Sequence, residues 1–289
     1  MGNREIKVGI IQMKTMPGTT REEKVEHSLP LIKKASEEGC KIILHGELAT
    51  TDYEKFYTKD PEYFKTAEPI PGPTTEAIGP LTKKYQNYVI MGVFERKQAG
   101  IYYNSAPVIG PNGTVVGNYR KTHVAGVQVL EKLYFRAGSE FHVWETEFEP
   151  HVKFGVIICH DRRYPETSRI LAQMGAEIMF CPTAAPGYAG GVYWDTSNIS
   201  RSVDTGMYTV FSNRAGKEWK KTYFGESMII NPFGEVIAKG GGAEAQDVIV
   251  SATLDLDKVD EARIAVPTLR DLRNDLYVRY YQHPKYDEF

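Results

Sequence analysis

Residues 156–166 read VIICHDRRYPE, an apolar run that ends in Cys159 and passes straight into His160, Asp161, Arg162 and Arg163. A thiol at a strand's end and ahead of a helix is well placed to be a nucleophile, because sites in α/β sheets lie beyond the carboxyl ends of strands. Tyr164, Pro165 and Glu166 open that helix, with proline tolerated in its first turn. The helix dipole and two arginines are expected to favour thiolate over thiol. The plainer alternative is that Cys159 is a small buried hydrophobe, as most free cysteines are. Cys40 and Cys181, beside apolar runs without such polar neighbours, are read in that way. His160 is a poor activator on this reading, since adjacent strand residues point to opposite faces. The same geometry speaks against a Cys-His-Asp metal site, and no metal or cofactor is expected.

A base for such a thiol must come from elsewhere, and two other strand ends offer polar groups. KIILHGELATTDYE ends its apolar run at Leu44 and presents Glu47 shortly after. VVGNYRKTHVAG reaches Lys121 close behind a hairpin. Either alone reads as a solvated side chain; three strand ends delivering Glu, Lys and Cys could converge at one sheet edge.

The elements that would position them alternate in type. Strand-like runs recur at Val8–Ile11, Ile42–Leu44, Val89–Phe94, Ala106–Ile109, Phe154–Ile158, Ile178–Phe180, Tyr208–Phe211, Met228–Ile230 and Val248–Val250. Helical patterns fall between several of them. Thr20 and Glu23 form a capping box ahead of Val25, Leu29 and Ile32, with Pro30 expected to kink or break the helix. Tyr164–Met174 and Asp195–Thr205 also read as helices. This alternation argues an α/β protein. SAPVIGPNGTVVGNYRK (105–121) and ESMIINPFGEVIAKG (226–240) both read as hairpins turned at Pro-x-Gly, one in each half. The terminal RNDLYVRYYQHPKYDEF shows little periodicity after Val278 and is expected to pack on a partner subunit or to be loosely held.

Bulk properties narrow the classes. The 289 residues are 42% hydrophobic and 25% charged, ample for a core, and the net charge of −2 argues against a nucleic-acid surface. Lys217, Lys220 and Lys221 are interleaved with Glu218 and Trp219, a solvated face. No apolar run approaches the roughly 18 residues of a membrane helix, and no signal-peptide core is present. Met1-Gly2 lacks the Ser or Thr that myristoylation wants at position 6, which is Ile. Three cysteines without paired spacing point to a reducing, cytoplasmic setting.

The residues also carry a resemblance. Gly46-Glu47, YRKTH at 119–123 and ICHDRRYPE at 158–166 resemble, in order and separation, the three signature blocks of the nitrilase superfamily of carbon–nitrogen hydrolases. The resemblance implies a four-layer α-β-β-α sandwich, with residues 1–255 forming the hydrolase domain. Residues 256–289 would then be a C-terminal helix and tail at the interface of a homodimer or homotetramer. It implies Glu47 as general base, Lys121 as cationic partner of an oxyanion and Cys159 as nucleophile. Glu131, in VLEKLYF, would position substrate or Lys121; otherwise it is a surface glutamate paired with Lys132. Gly46 departs from the proline that family members usually carry there, which leaves the aim of Glu47 freer.

Within the superfamily, the paired arginines and THV with LEKLYF resemble N-carbamoyl-D-amino acid amidohydrolases. That subgroup implies hydrolysis of an N-carbamoyl amino acid to amino acid, carbon dioxide and ammonia, with amidase or nitrilase chemistry as alternatives. Arg162 and Arg163 would clamp a substrate carboxylate, or else bridge to Asp161 or Glu166. His123 and Tyr53 complete the expected substrate-binding set. The subgroup fit weakens where a histidine is replaced by Val129 and an Asn-Thr pair by Ala184-Ala185.

Overall fold

In the computed structural model, which describes residues 4–282, the first half of the chain builds one sheet. Its elements are β1 (Glu5–Gln12), α1 (Arg21–Glu37), β2 (Ile42–Leu44), α2 (Pro73–Tyr85), β3 (Tyr88–Ile90), β4 (Val93–Gln98), β5 (Ile101–Ile109) and β6 (Val115–Arg120). A short turn α3 (Glu131–Tyr134) leads to β7 (Val143–Glu145), β8 (Lys153–Val156), α4 (Pro165–Gln173), β9 (Ile178–Cys181), α5 (Val192–Thr205) and β10 (Tyr208–Phe211). A hairpin β11 (Ala215–Glu218) and β12 (Lys221–Phe224) precedes β13 (Met228–Ile230), β14 (Val236–Lys239), β15 (Val248–Asp255), α6 (Asp257–Ala265) and α7 (Asn274–Gln282).

β15 returns across the molecule to pair antiparallel with β1, so the first sheet runs β15-β1-β2-β3-β5-β4 with β6 also on β5. The second runs β14-β13-β10-β9-β8-β7. Period-two alternation sets the layers. Ile42, Leu44, Tyr88 and Ile90 enter the core shared with Phe154, Val156, Ile178 and Phe180 of the second sheet. Ile43, Val89 and Met91, one step out of phase, pack with Ile32 and Ala35 of α1 and Ile78 of α2. Leu171 and Trp194, from α4 and α5, close the other side. The result is the expected four-layer α-β-β-α sandwich.

Both expected hairpins form, and they match in detail. Gly113 and Gly234 take φ of +85° and +86°. Gly113 N–H donates to Gly110 O and Gly110 N–H to Thr114 O, just as Gly234 N–H donates to Asn231 O and Asn231 N–H to Glu235 O.

Four local expectations differ. α1 is capped by Thr20 and Glu23 as read, but it continues through Pro30. Pro30 lies on the exposed face, where the carbonyl it cannot serve stays solvated. The run from Val89 to Phe94 splits into β3 and β4, because Gly92 bonds out of the ladder: its N–H donates to Gly46 O and its carbonyl accepts from Ala49 N–H. β8 ends at Val156, and Cys159 opens a 3-10 turn with φ of +42°. Past Val278 the chain stays helical to Gln282; the last seven residues lie outside those described. In the segment after residue 255, Leu256 and Val259 are buried in the main core, whereas α7 buries no residue.

Candidate active site

Glu47 sits in the turn after β2, laid directly on Gly92. A side chain at residue 92 would come within 2.3 Å of Leu48 N and 2.7 Å of Glu47 Cα, so only glycine admits this approach. The Glu47 carboxylate is buried and held from three directions. Lys121 Nζ and Asn104 Nδ2 each donate to Oε1 at 2.8 Å, and the Ala184 N–H donates to Oε2 at 2.8 Å.

Lys121 follows β6 directly and is anchored by its own backbone, its N–H donating to Asn104 O and its carbonyl accepting from Gly138 N–H. Its ammonium lies 2.8 Å from Glu131 Oε2 as well. Burial opposes its charge, but the Glu131 and Glu47 carboxylates outweigh that and hold the ammonium well above its usual range. Glu131 is buried rather than on a helix surface, and it accepts the Tyr53 hydroxyl. Burial raises the Glu131 carboxyl, with Lys121 working against that shift and Glu47 adding to it. Tyr53 is itself buried, and burial and the Glu131 charge push its phenol well up, so it stays a donor.

Cys159 is partly covered, at the mouth of its 3-10 turn. It shares a pit of about 40 Å³ with Lys121, Glu131, Tyr53, Tyr57, Arg163 and the methyl groups of Ala125, Ala184, Ala185 and Ala189. Glu47 lies directly behind this wall, bonded to both Lys121 and Ala184. The three strand ends therefore do converge.

Their electrostatics correct the expectation of a preformed thiolate. Burial and the Glu47 carboxylate push the Cys159 thiol well above its usual range, and Lys121 and Arg162 do not reverse this. Both arginines line the pit, and each also packs on an aromatic ring. Arg162 is buried, donates to Ser197 Oγ at 2.6 Å and stacks 4.8 Å over Trp194. Arg163 is exposed, lies 4.9 Å over the Tyr193 ring, and has no carboxylate partner among the described residues. Neither bridges to Asp161 or Glu166.

His123 is not among the residues lining the pit. Its Nδ1 lies 2.9 Å from Asp161 Oδ1 and its ring stacks on Tyr164 at 3.8 Å, so it is spent on structure. His160 does line the pit, because the turn at Cys159 removes the strand alternation that was expected to turn it away. Burial, with Lys121 and Arg163 nearby, lowers its imidazole to about 4, so it is neutral at pH 7.

Three contributors escaped the sequence reading. Asp161 is buried and accepts from Tyr119 OH, Thr122 Oγ1, His123 N–H and Ile158 N–H at 2.7–2.9 Å. It thereby ties the Lys121 segment to the Cys159 turn. Asn104, from β5, and Arg214, from the connection between β10 and β11, hold Glu47 and its loop. A buried-looking polar residue within an apolar strand was the available signal for Asn104.

Among the described residues no group of His, Cys, Asp and Glu could hold a metal ion, and no helix is long and apolar enough to cross a membrane.

The chain is similar to known proteins along nearly its whole length. The carbon-nitrogen hydrolase family matches residues 7–264. The human omega-amidase NIT2 is 33% identical over 279 residues, covering 94% of this chain and 96% of that protein. The omega-amidase NIT2 of Xenopus tropicalis is 32% identical over 281 residues, covering 94% and 97%. The crystal structure of a carbon-nitrogen hydrolase from Helicobacter pylori G27 superposes with a TM-score of 0.87 at 28% identity, covering 97% of this chain and 99% of that one. Relatives at this level are omega-amidases, which turns the subgroup resemblance away from the N-carbamoyl-D-amino acid amidohydrolases. The family match spans residues 7–264, the relatives cover nearly the whole chain, and this chain belongs to the carbon–nitrogen hydrolases of the nitrilase superfamily.

Proposed function

We propose that the protein hydrolyses the terminal amide of a short linear acid, an ω-amide, to the dicarboxylic acid and ammonia. The observation that carries the reaction type is the Lys121 ammonium, fixed 2.8 Å from both Glu47 and Glu131 in the same pit as the Cys159 thiol.

Glu47 takes the thiol proton as Cys159 Sγ attacks the amide carbon, a step the raised thiol requires of a nearby base. The carbonyl electrons move to oxygen, and Lys121 stabilises that oxyanion. The backbone donor beside it is the His160 N–H, since the Cys159 and Asp161 N–H groups donate to Pro182 O and Ile158 O. Collapse expels ammonia, which leaves with the proton held by Glu47, and the thioester remains. Glu47 then deprotonates a water that attacks the thioester, and the proton returns to Cys159. Glu131, held by Tyr53, keeps Lys121 in place throughout.

Two features support an amide over a carbamoyl group. The pit lining includes Ala125, Ala184, Ala185 and Ala189, small apolar residues that suit methylenes, and a carbamoyl N–H buried there would need an acceptor. The Glu47 and Glu131 oxygens are already committed to Lys121, Asn104, Ala184 and Tyr53. At the mouth, exposed Arg163 suits the distal carboxylate, since guanidinium pairs with it bidentately.

The test is ammonia release from monoamides of short dicarboxylic acids, neutral amides, N-carbamoyl amino acids of both hands and nitriles. Monoamides should have the highest kcat/KM. Arg163→Ala should raise KM about 10- to 100-fold for the acid substrates and leave neutral amides unaffected. Preference for carbamoyl amino acids, or equal effects on neutral amides, would overturn this assignment.

A working thiol, with Cys40 and Cys181 also free, supports a reducing cytoplasmic setting. The outward Tyr280 and Tyr281 on α7, both about two-thirds exposed, support a homodimer or homotetramer with the C-terminal segment at its interface. Sedimentation of the full chain against one truncated after residue 272 tests it.

A further inference from the structure

We infer that Arg214 is a positioning residue for the general base, holding the Glu47 loop in its working conformation; the inference rests on the role of Glu47 set out above. Arg214 is buried and does not line the pit, so it meets no substrate. Its Nη2 donates to three carbonyl groups of the base loop: Glu47 O at 3.1 Å, Leu48 O, and Thr51 O at 3.0 Å. Its Nη1 donates to Glu218 Oε2 at 3.0 Å, and Glu218 Oε1 accepts the Glu54 N–H at 2.7 Å. One guanidinium thus gathers the loop from residue 47 to 54, directly and through its counter-ion.

The loop needs such a hold. Leu48 lies at φ of +45°, in the left-handed region that a leucine avoids. A side chain at Gly46 would meet nothing within 4 Å, so the residue before the base adds no packing restraint. The loop carbonyls point inward, where each must find a donor. Only a planar group with several N–H donors can serve three acceptors and a carboxylate at once. The same guanidinium lies 5.6 Å over the Tyr53 ring, and Tyr53 donates to Glu131. Both carboxylates that flank Lys121 are therefore braced by one cation from the far half of the chain.

The test uses Arg214→Lys and Arg214→Gln in the full chain, on the best amide found for the wild type, with Cys159→Ala as the inactive reference. We expect kcat to fall about tenfold for the lysine and about 10²-fold for the glutamine, the scale of an ångström's misplacement of a catalytic group. KM should stay within about threefold, because no substrate contact is removed. Rates are taken per folded molecule, counted by circular dichroism, so a loss of stability alone would leave kcat unchanged.

Unchanged kcat in folded Arg214→Lys and Arg214→Gln would overturn the inference. Should both variants fail to fold, Glu218→Gln decides. It keeps the guanidinium but frees its orientation, and should lower kcat about threefold or more with KM little changed; a wild-type kcat would overturn the inference. A wild type inactive on every amide, or an active Cys159→Ala, would instead refute the reaction assignment.

Discussion

Two lysines are buried among the described residues, Lys24 and Lys121, and they differ in one respect that matters. Lys24, in α1, places Nζ 2.9 Å from Asp52 and 2.6 and 2.8 Å from Thr19 O and Oγ1. Lys121 makes three contacts as well, but all of them to the carboxylates of Glu47 and Glu131. Around Lys24 one positive charge meets one negative charge. Around Lys121 one positive charge meets two, beside a thiol that is forced to keep its proton. A buried ion pair is weak evidence of function. The informative pattern is an ion cluster with surplus negative charge, a nucleophile and an open pit.

Replacing each lysine breaks the comparison most directly. Lys121→Met should lower kcat by about 10²- to 10³-fold or more, the scale of a lost oxyanion partner. Circular dichroism should still report a folded chain. Lys24→Met should leave kcat within about threefold and lower the unfolding free energy by about 3 kcal/mol, because Asp52 loses its cation. Turnover abolished in a fully stable Lys24→Met would mean that the two sites are not different in kind.

Asp161→Asn sharpens the comparison from the other side. Asp161 is a buried hydrogen-bond acceptor, but unlike Asp52 it joins the segments that carry Lys121 and Cys159. The variant should lower kcat about tenfold and cost about 1–3 kcal/mol of stability, read by steady-state kinetics and urea unfolding on the same preparation. A stability loss with full kcat would make it equivalent to Asp52.

The smallest effect concerns His45, which lies between the two regions. Its Nε2 meets Ser28 Oγ of α1 at 3.0 Å, and its Nδ1 accepts the Gly46 N–H next to the base. Burial lowers this imidazole from 6.5 to about 3. Between those values the unfolded chain binds a proton that the folded chain refuses, so stability falls as pH drops below 6.5 and the loss is complete near pH 3. By pH 5 the contribution is about 2 kcal/mol. His45→Gln should be less sensitive to acid than the wild type over this window in thermal melts; parallel curves would show that His45 is not the titrating group.

Part of the site was legible because Glu47, Lys121 and Cys159 each follow a strand-like run, and strands end where reactive groups can reach a cavity; Glu131 came from the family resemblance alone. The hairpins were legible because Pro-x-Gly demands a positive φ at its glycine, and Gly113 and Gly234 both adopt it. The roles expected of Arg162, Arg163 and His123 were read from residue type. Residue type does not say whether a guanidinium faces Trp194 or solvent, or whether an imidazole is already taken by Asp161. The uninterrupted run from Val89 to Phe94 likewise concealed Gly92, whose bonds go to a loop over forty residues away.

By itself the sequence determined the alternation of strands and helices and the turn chemistry, which depend on neighbours a few residues apart and are reported by local propensity and periodicity. The candidate thiol, ammonium and two carboxylates were joined only by the resemblance of three motifs, in order, to a known family. Only the tertiary structure decided that Glu47 would be held by Asn104, Ala184 and Lys121, that Asp161 would join two strand ends, and that Arg214 would brace the base loop from 167 residues away. Those contacts exist because two sheets pack face to face and bring distant strand ends together, and no short window of sequence contains both partners.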